Sequence, residues 1–429
     1  MDTKDEVEKR PTTGNAAPRK EMVELTTRKM TKDEHHLATL GYKQVFIRSF
    51  GMFENWAATF TTMNFVSGLP VLFGFAMYTG GPQAAFSNWT MVGGLSTIVS
   101  LAMAEIAAAL PTAGGIYYWA YVLGGQEYAQ GNTNFFVSML EILYPNSAVH
   151  LLRGRGRSRS ADHNPVLLTQ EFYGYDASVH LSEETLSASS VVANGMWTGS
   201  ISTWLLSVLT LIMPNNWAEY LVQLVGHRGA AAILAFTWID GLLCTGVIFL
   251  SAQRITYAVA RDGILPFSKT YSKVTPKHHL PVNAALLMVV LTIAICAAVI
   301  GSTVAFSAIT AAATIGTNLS YLIPIVARQT IGRKHFKAAK WNFGAWSIPV
   351  SIIASLYIAF LFVVLMLPQL YPVNAQTLNY APIVIGGITA IALGGWLFPF
   401  SLGARYWFEG PKRTISEVEL VGVQVKGSD

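Results

Sequence analysis

Charge is scarce in this chain. Only 12% of its 429 residues are Asp, Glu, Lys or Arg, while 52% are hydrophobic and the mean hydropathy is +0.41. A soluble protein carries about 25% charged residues. The balance therefore excludes a soluble enzyme around one large core and suits a chain with several membrane spans. Cysteine is scarce too. Cys244 and Cys296 each lie inside an apolar segment, and neither has the spacing of a disulfide framework or a zinc site. There is no nucleophile elbow, zinc-ligand helix or phosphate loop, so the reading is not an enzyme: no catalytic residue, metal or cofactor is assigned. No signal peptide opens the chain. Residues 1–50 hold ten Lys or Arg, eight Asp or Glu, Pro11 and Pro18, and read as a mostly disordered cytoplasmic tail.

Long apolar runs are what the chain has in abundance. Segments 56–79, 89–110, 196–213, 230–252, 282–301, 304–327, 346–367 and 381–403 each reach or approach the ~20 residues that cross a bilayer. Their only formal charges are Glu105 and Asp240. Lipid offers no partner to an open backbone, so these runs are expected as helices. Basic residues set the orientation. Arg28, Lys29, Lys32, Lys43 and Arg48 precede the first span, and TGGPQAAFSN after it has no charge. Arg254, Arg261, Lys269, Lys273 and Lys277 follow residue 252; Arg328, Arg333, Lys334, Lys337 and Lys340 follow residue 327; Arg405, Lys412 and Arg413 follow the last span. The loops 302–303 and 368–380 have neither Lys nor Arg. Both termini are thus expected in the cytoplasm. The asymmetry, together with nearby anionic lipid, accounts for a pI near 9.0 without a nucleic-acid partner.

The middle is irregular. Residues 112–190 must cross an even number of times, yet IYYWAYVLGG is too short and residues 135–152 contain Glu141 and Pro145. RGRGRSRSADHN at 153–164 is a hydrophilic run that reads as a solvated loop. The tandem His35-His36 and His278-His279 read as loop residues rather than metal ligands. Asn88-Trp89-Thr90 is a glycosylation sequon that abuts the membrane.

Two stretches invite a functional reading. TTMNFVSGLPVLFGF at 61–75 places Gly68 and Pro70 in the middle of the first span. Both weaken a helix, through close packing or through a helix interrupted at membrane depth whose open backbone groups face a solute. FYGYDAS at 172–178 sets Gly174 and Asp176 among Phe172, Tyr173 and Tyr175. A carboxylate at that depth costs about 2.5–3.5 kcal/mol unless it lines a cavity. Aromatic faces beside it suit an organic cation; a surface loop is the other reading. Glu105 lies near the inner end of its span, six residues before PTAGG, and Asp240 lies mid-span, where burial demands a partner or protonation.

The ordered blocks FGMFENWAATFTTMNFVSGLPVLFGF, GLSTIVSLAMAEIAAALPTAGGIYYWAYVLGG, EFYGYDASVHLSEET, SAQRITYAVARDGILP, VNAALL and ATIGTNLSYLIPIVARQTIGR cover 41–125 and 171–415 almost without a break. With them the chain resembles the fungal amino-acid/choline transporter group, GABA-permease-like, of the amino acid–polyamine–organocation superfamily. The resemblance implies an all-α multi-span membrane protein of two inverted five-helix repeats plus two helices, incomplete here, with about eight clear spans where relatives have twelve. It implies that Asn64, Val66, Ser67, Gly68 and Leu69 stand at the first break, and Phe172, Tyr173, Gly174, Tyr175 and Asp176 at the second, as substrate-binding residues. Glu183 and Glu184 match an acidic pair at the cytoplasmic end of the sixth helix, and Arg261-Asp262-Gly263 a gate or support after the eighth. Glu105 and Asp240 are grouped with them as gate or support residues.

The pattern departs at 126–170, where relatives place four helices that need about 80 residues, and again at Pro214. The expected organisation is a tail at 1–50, two spans and the start of a third at 51–125, an irregular Arg-rich region at 126–170, the sixth-helix remnant and remaining spans at 171–404, and a tail at 405–429. The expected function is a secondary transporter of amino acids, GABA or a choline-like amine across a fungal plasma or vacuolar membrane, coupled to protons or exchange. The alternative is a non-transporting truncated relative or a mis-predicted gene product.

Overall fold

The computed structural model describes residues 30–64, 81–129, 172–211, 217–277, 279–300, 303–368, 372–375, 378–399, 403–408 and 410–415. Val66, Ser67, Gly68, Leu69, the Arg-rich run, His278 and the junction at Pro214 lie outside the described residues. Among the described residues the regular elements are helices, with no strand.

The chain divides into two compact units, Met1–Gln44 with Arg413–Asp429, and Val45–Lys412. In the first, helix α1 (Lys32–Thr39) lies inside the stretch expected to be a disordered tail. Its start is fixed locally. Thr31 Oγ1 accepts from Glu34 N–H at 3.2 Å, and the Glu34 carboxylate accepts from Thr31 N–H at 2.9 Å, a reciprocal capping box. Residue 414 joins the turn that follows, with Thr414 N–H donating to Gly41 O and Lys43 N–H to Thr414 Oγ1, both at 2.8 Å.

The larger unit is a helical bundle. Its elements are α2 (Met52–Thr62), α3 (Gly81–Ala109), α4 (Gly115–Ala129), the single turn α5 (Ala177–His180), α6 (Ala188–Leu211), α7 (Trp217–Arg261), α8 (Ser268–Tyr271), α9 (Val282–Ile300), α10 (Thr303–Gln329), α11 (Ser347–Met366), α12 (Ala381–Leu397) and α13 (Ala404–Trp407). By length and composition, three helices among the described residues can cross a membrane: Phe86–Ala109, Leu221–Arg261 and Gly344–Met366. Val282–Ala297 and Ala381–Leu397 are apolar but shorter. The apolar run 230–252 sits within the much longer α7, which bends where Gly226 takes φ 72°.

Helix α6 runs along α3 and α2, α11 along α3 and α10, and α7 against α2 and α9. Small residues make the α2–α6 approach close. A Cβ at Gly195 would lie 2.8 Å from the Asn55 Cβ, and one at Gly199 only 2.6 Å from the Thr59 Cγ2. Two glycines four apart share a helix face, and their missing side chains let the neighbouring backbone in. Between α3 and α6, Ser200 donates to Ser100 Oγ at 2.8 Å. The outward faces of α7, α9 and α11 stay apolar: Phe236, Trp238, Leu243, Ile293, Leu356 and Phe360 are all exposed. Such a surface suits lipid rather than water.

Candidate functional site

Helix α2 stops at Thr62; Met63 caps it, and Asn64 turns to φ 56°, a left-handed conformation that asparagine tolerates. Residues 172–176 are not helical, and Gly174 takes φ 88°. The two points touch. A Cβ on Gly174 would lie 2.8 Å from the Thr62 Cγ2, so glycine is required there both by backbone angle and by space. The segment is then tied to α2 by side chains. Thr59 Oγ1 lies 2.5 Å from Ser178 Oγ and 3.5 Å from the Tyr175 carbonyl, and Ser178 donates to Asn55 O at 2.9 Å.

Asp176 sits where a capping residue of α5 would, yet its side chain makes no cap bond. The carboxylate turns elsewhere. Oδ1 accepts from the Tyr321 hydroxyl of α10 at 2.6 Å, and Oδ2 faces His180 Nε2 at 3.3 Å. The same Tyr321 oxygen accepts from Gly174 N–H at 3.3 Å, satisfying a backbone donor that the interrupted helix exposes. The Tyr175 and Tyr321 rings lie 5.0 Å apart, and Phe172 meets Trp89 edge-on at 5.6 Å. Phe172, Tyr173 and Tyr175 are all buried. His180 Nδ1 in turn lies 3.1 Å from Ala113 O. PTAGG at 111–115 makes that approach possible: a Cβ on Gly115 would lie 2.6 Å from the imidazole.

A family model for amino acid permeases matches residues 169–388, just over half of the chain, and takes in this interrupted segment. The chain belongs to the amino acid permease family. It is therefore an integral, multi-pass membrane protein of a transporter family, not an enzyme family. It is 28% identical to the amino-acid permease BAT1 homolog of Oryza sativa subsp. japonica, with 87% of this chain and 94% of that protein covered. It is 27% identical to amino-acid permease BAT1 of Arabidopsis thaliana, with 89% and 96% covered. It is 24% identical to the thiamine transporter thi9 of Schizosaccharomyces pombe, with 84% of each chain covered.

Elsewhere in this amino acid permease, acidic residues meet arginines. Glu183 Oε1 accepts from Ala113 N–H at 3.2 Å and lies 3.4 Å from Arg261 Nη1. Arg254 Nε lies 2.5 Å from Glu184 Oε1, with its guanidinium 4.4 Å over the Phe46 ring. Burial pushes the Glu184 carboxyl up, while the charge and hydrogen bond of Arg254 pull it back. Arg48 Nη1 donates to Ser182 O and Thr185 O at 3.1 and 2.5 Å. The backbone joins there as well: Ser49 and Phe50 N–H both donate to Glu184 O, and Leu186 N–H donates to Phe50 O.

Glu105, grouped from the resemblance with the gate or support residues, is 2% exposed and 2.7 Å from Arg328 Nη2 of α10. Arg328 also donates to Ser347 Oγ and covers the Phe336 ring. Asp240 is half-buried, one helical turn before Cys244, whose thiol donates to Thr62 O at 4.0 Å.

Arg254 and Arg328, expected from sequence in cytoplasmic loops, are both buried within helices, Arg254 two turns before the end of α7 and Arg328 in the last turn of α10. His180 and Tyr321 were not singled out. The spacing DASVH, acid and histidine four apart, was a legible signal for the first. Tyr321 is 145 positions from Asp176, and no local pattern joins them.

Proposed function

We propose that this chain is a secondary active transporter for an amino acid, GABA or a choline-like amine, holding the solute at the meeting point of α2 and the 172–176 segment. One observation carries the reading. Asp176 is a carboxylate at an interrupted helix, bounded by aromatic rings, and among the described residues no Lys or Arg pairs with it. An ammonium group would supply the missing charge, with ring faces adding to its attraction. Phe172, Tyr173, Gly174 and Tyr175 form that side of the site; Asn64, Val66, Ser67, Gly68 and Leu69 supply the other. Glu105, Glu183, Glu184, Asp240 and Arg261 act as gate or support. The solutes in the relatives' names, amino acids and thiamine, agree with a nitrogen-bearing cargo. The coupling is to protons or to exchange, in a fungal plasma or vacuolar membrane with both termini in the cytoplasm.

Uptake of labelled GABA, choline and single amino acids in cells lacking their own permeases tests this, with the chain verified at the membrane. Flux several-fold above the empty vector for one solute is expected. No flux of any, with the protein in place, overturns it.

A second reading, a truncated relative that does not transport, has its own support. The rice alignment runs over 500 positions although this chain has 429 residues, so it must contain gaps on this side. The stretch 126–170 is the place where the sequence falls short of four helices. Normal flux at normal surface expression removes that reading.

A further inference from the structure

Counting donors and acceptors around His180 leads beyond the transport reading, and rests on it only for the identity of the solute. Ala113 O can only accept, so the 3.1 Å contact requires a proton on His180 Nδ1. Nε2 and Asp176 Oδ2 face each other at 3.3 Å, and two unprotonated atoms there would both be acceptors. The contact therefore holds one proton, on nitrogen as an imidazolium beside a carboxylate, or on oxygen as an acid beside a neutral ring. Asp176 Oδ1 is already occupied by the Tyr321 hydroxyl, which leaves Oδ2 as the oxygen that meets the ring.

We propose that Asp176 and His180 form a single proton-binding site at the interrupted helix. With the proton the pair is neutral overall; releasing it leaves a net charge of −1 on the carboxylate. The site is reached from one side. The Asp176 side chain is 13% exposed and that of His180 1%, so a proton or cation arrives at the carboxylate. An ammonium ion and the proton then compete for the same oxygen, which makes the pair the point where solute and proton exchange.

Among the described residues, the surroundings do not supply another charge to do this. The groups facing the pair are the Tyr321 hydroxyl from α10, Tyr175 on the segment itself, and Glu183 with Arg261 one peptide beyond Ala113. Helix α6 has no ionisable side chain, Glu54 of α2 is exposed, Glu105 of α3 is held by Arg328, and Tyr357 of α11 bonds Ser96 at 3.2 Å.

Infrared difference spectra of the full chain in lipid nanodiscs, recorded through a pH titration, test the proposal. Labelled aspartate and histidine separate the two band sets in the unaltered chain, and Asp176→Asn and His180→Gln assign them. The expected result is one common midpoint for the carboxyl and imidazole bands. His180→Gln is expected to move the carboxyl midpoint by about one pH unit or more. Separate midpoints in the unaltered chain, or a carboxyl curve unmoved by His180→Gln, overturn the shared site. Choline or GABA, added where the pair is protonated, is expected to release about one proton per chain. A common midpoint with no response to any amine upholds the proton site and overturns the transport reading alone.

Discussion

Around Glu105, Glu183 and Glu184 each carboxylate meets an arginine; at Asp176 the carboxylate meets a phenol and an imidazole. Both arrangements place acids inside a bundle of helices, but they solve different problems. A buried arginine fixes its partner permanently, and removing either one strands the other. A hydroxyl and a histidine satisfy hydrogen bonds without fixing charge. The first arrangement joins elements: Glu105 to Arg328 links α3 to α10, and Glu184 to Arg254 links the turn after α5 to α7. The second leaves charge adjustable at the interrupted segment 172–176.

The contrast is sharpest in stability. Arg328→Met is expected to destabilise the chain by about 3–5 kcal/mol, because it leaves Glu105 buried and uncompensated. Melting of the purified protein in detergent reads this, and the double variant Glu105→Leu/Arg328→Met should recover much of the loss. Gly199→Val is next, at about 1–3 kcal/mol, since its side chain would enter the space of the Thr59 Cγ2 2.6 Å away. Tyr321→Phe removes one hydrogen bond to Asp176 and is expected to weaken amine binding about fivefold, the equivalent of roughly 1 kcal/mol, by titration calorimetry. Asp176→Asn should have the least effect on melting, under about 1 kcal/mol, because an amide still accepts from Tyr321 and donates to a neutral His180. It should nevertheless abolish detectable amine binding. If Asp176→Asn melted as poorly as Arg328→Met, the distinction between fixed and adjustable acids would fall.

Much of this was legible in the sequence, for identifiable reasons. The apolar run 346–367 became α11, Ser347–Met366, almost residue for residue, since twenty apolar residues leave a lipid-exposed backbone little alternative to helix. The residues of FYGYDAS allowed either a surface loop or an interruption, because glycine beside an acid is costly inside a membrane helix, and the family resemblance favoured the interruption. What was not legible is what the interruption leans on. Tyr321 is separated from Asp176 by 145 positions, and Thr62 is a plain residue until the fold sets Gly174 against it. Arg254 and Arg328 were read by sign alone, as markers of a cytoplasmic loop. Sign cannot distinguish a solvated arginine from a buried one whose guanidinium covers the Phe46 or Phe336 ring.

The backbone bonds between 49–50 and 184–186 have a mechanical meaning. Ser49 and Phe50 lead into α2, and Leu186 leads into α6, so three main-chain hydrogen bonds pin the starts of both helices at one pivot. Sliding one helix along the other would break all three together. Farther along α6, Gly195 and Gly199 keep Asn55 and Thr59 of α2 in close contact, so the shared start and the close crossing fix the two helices together.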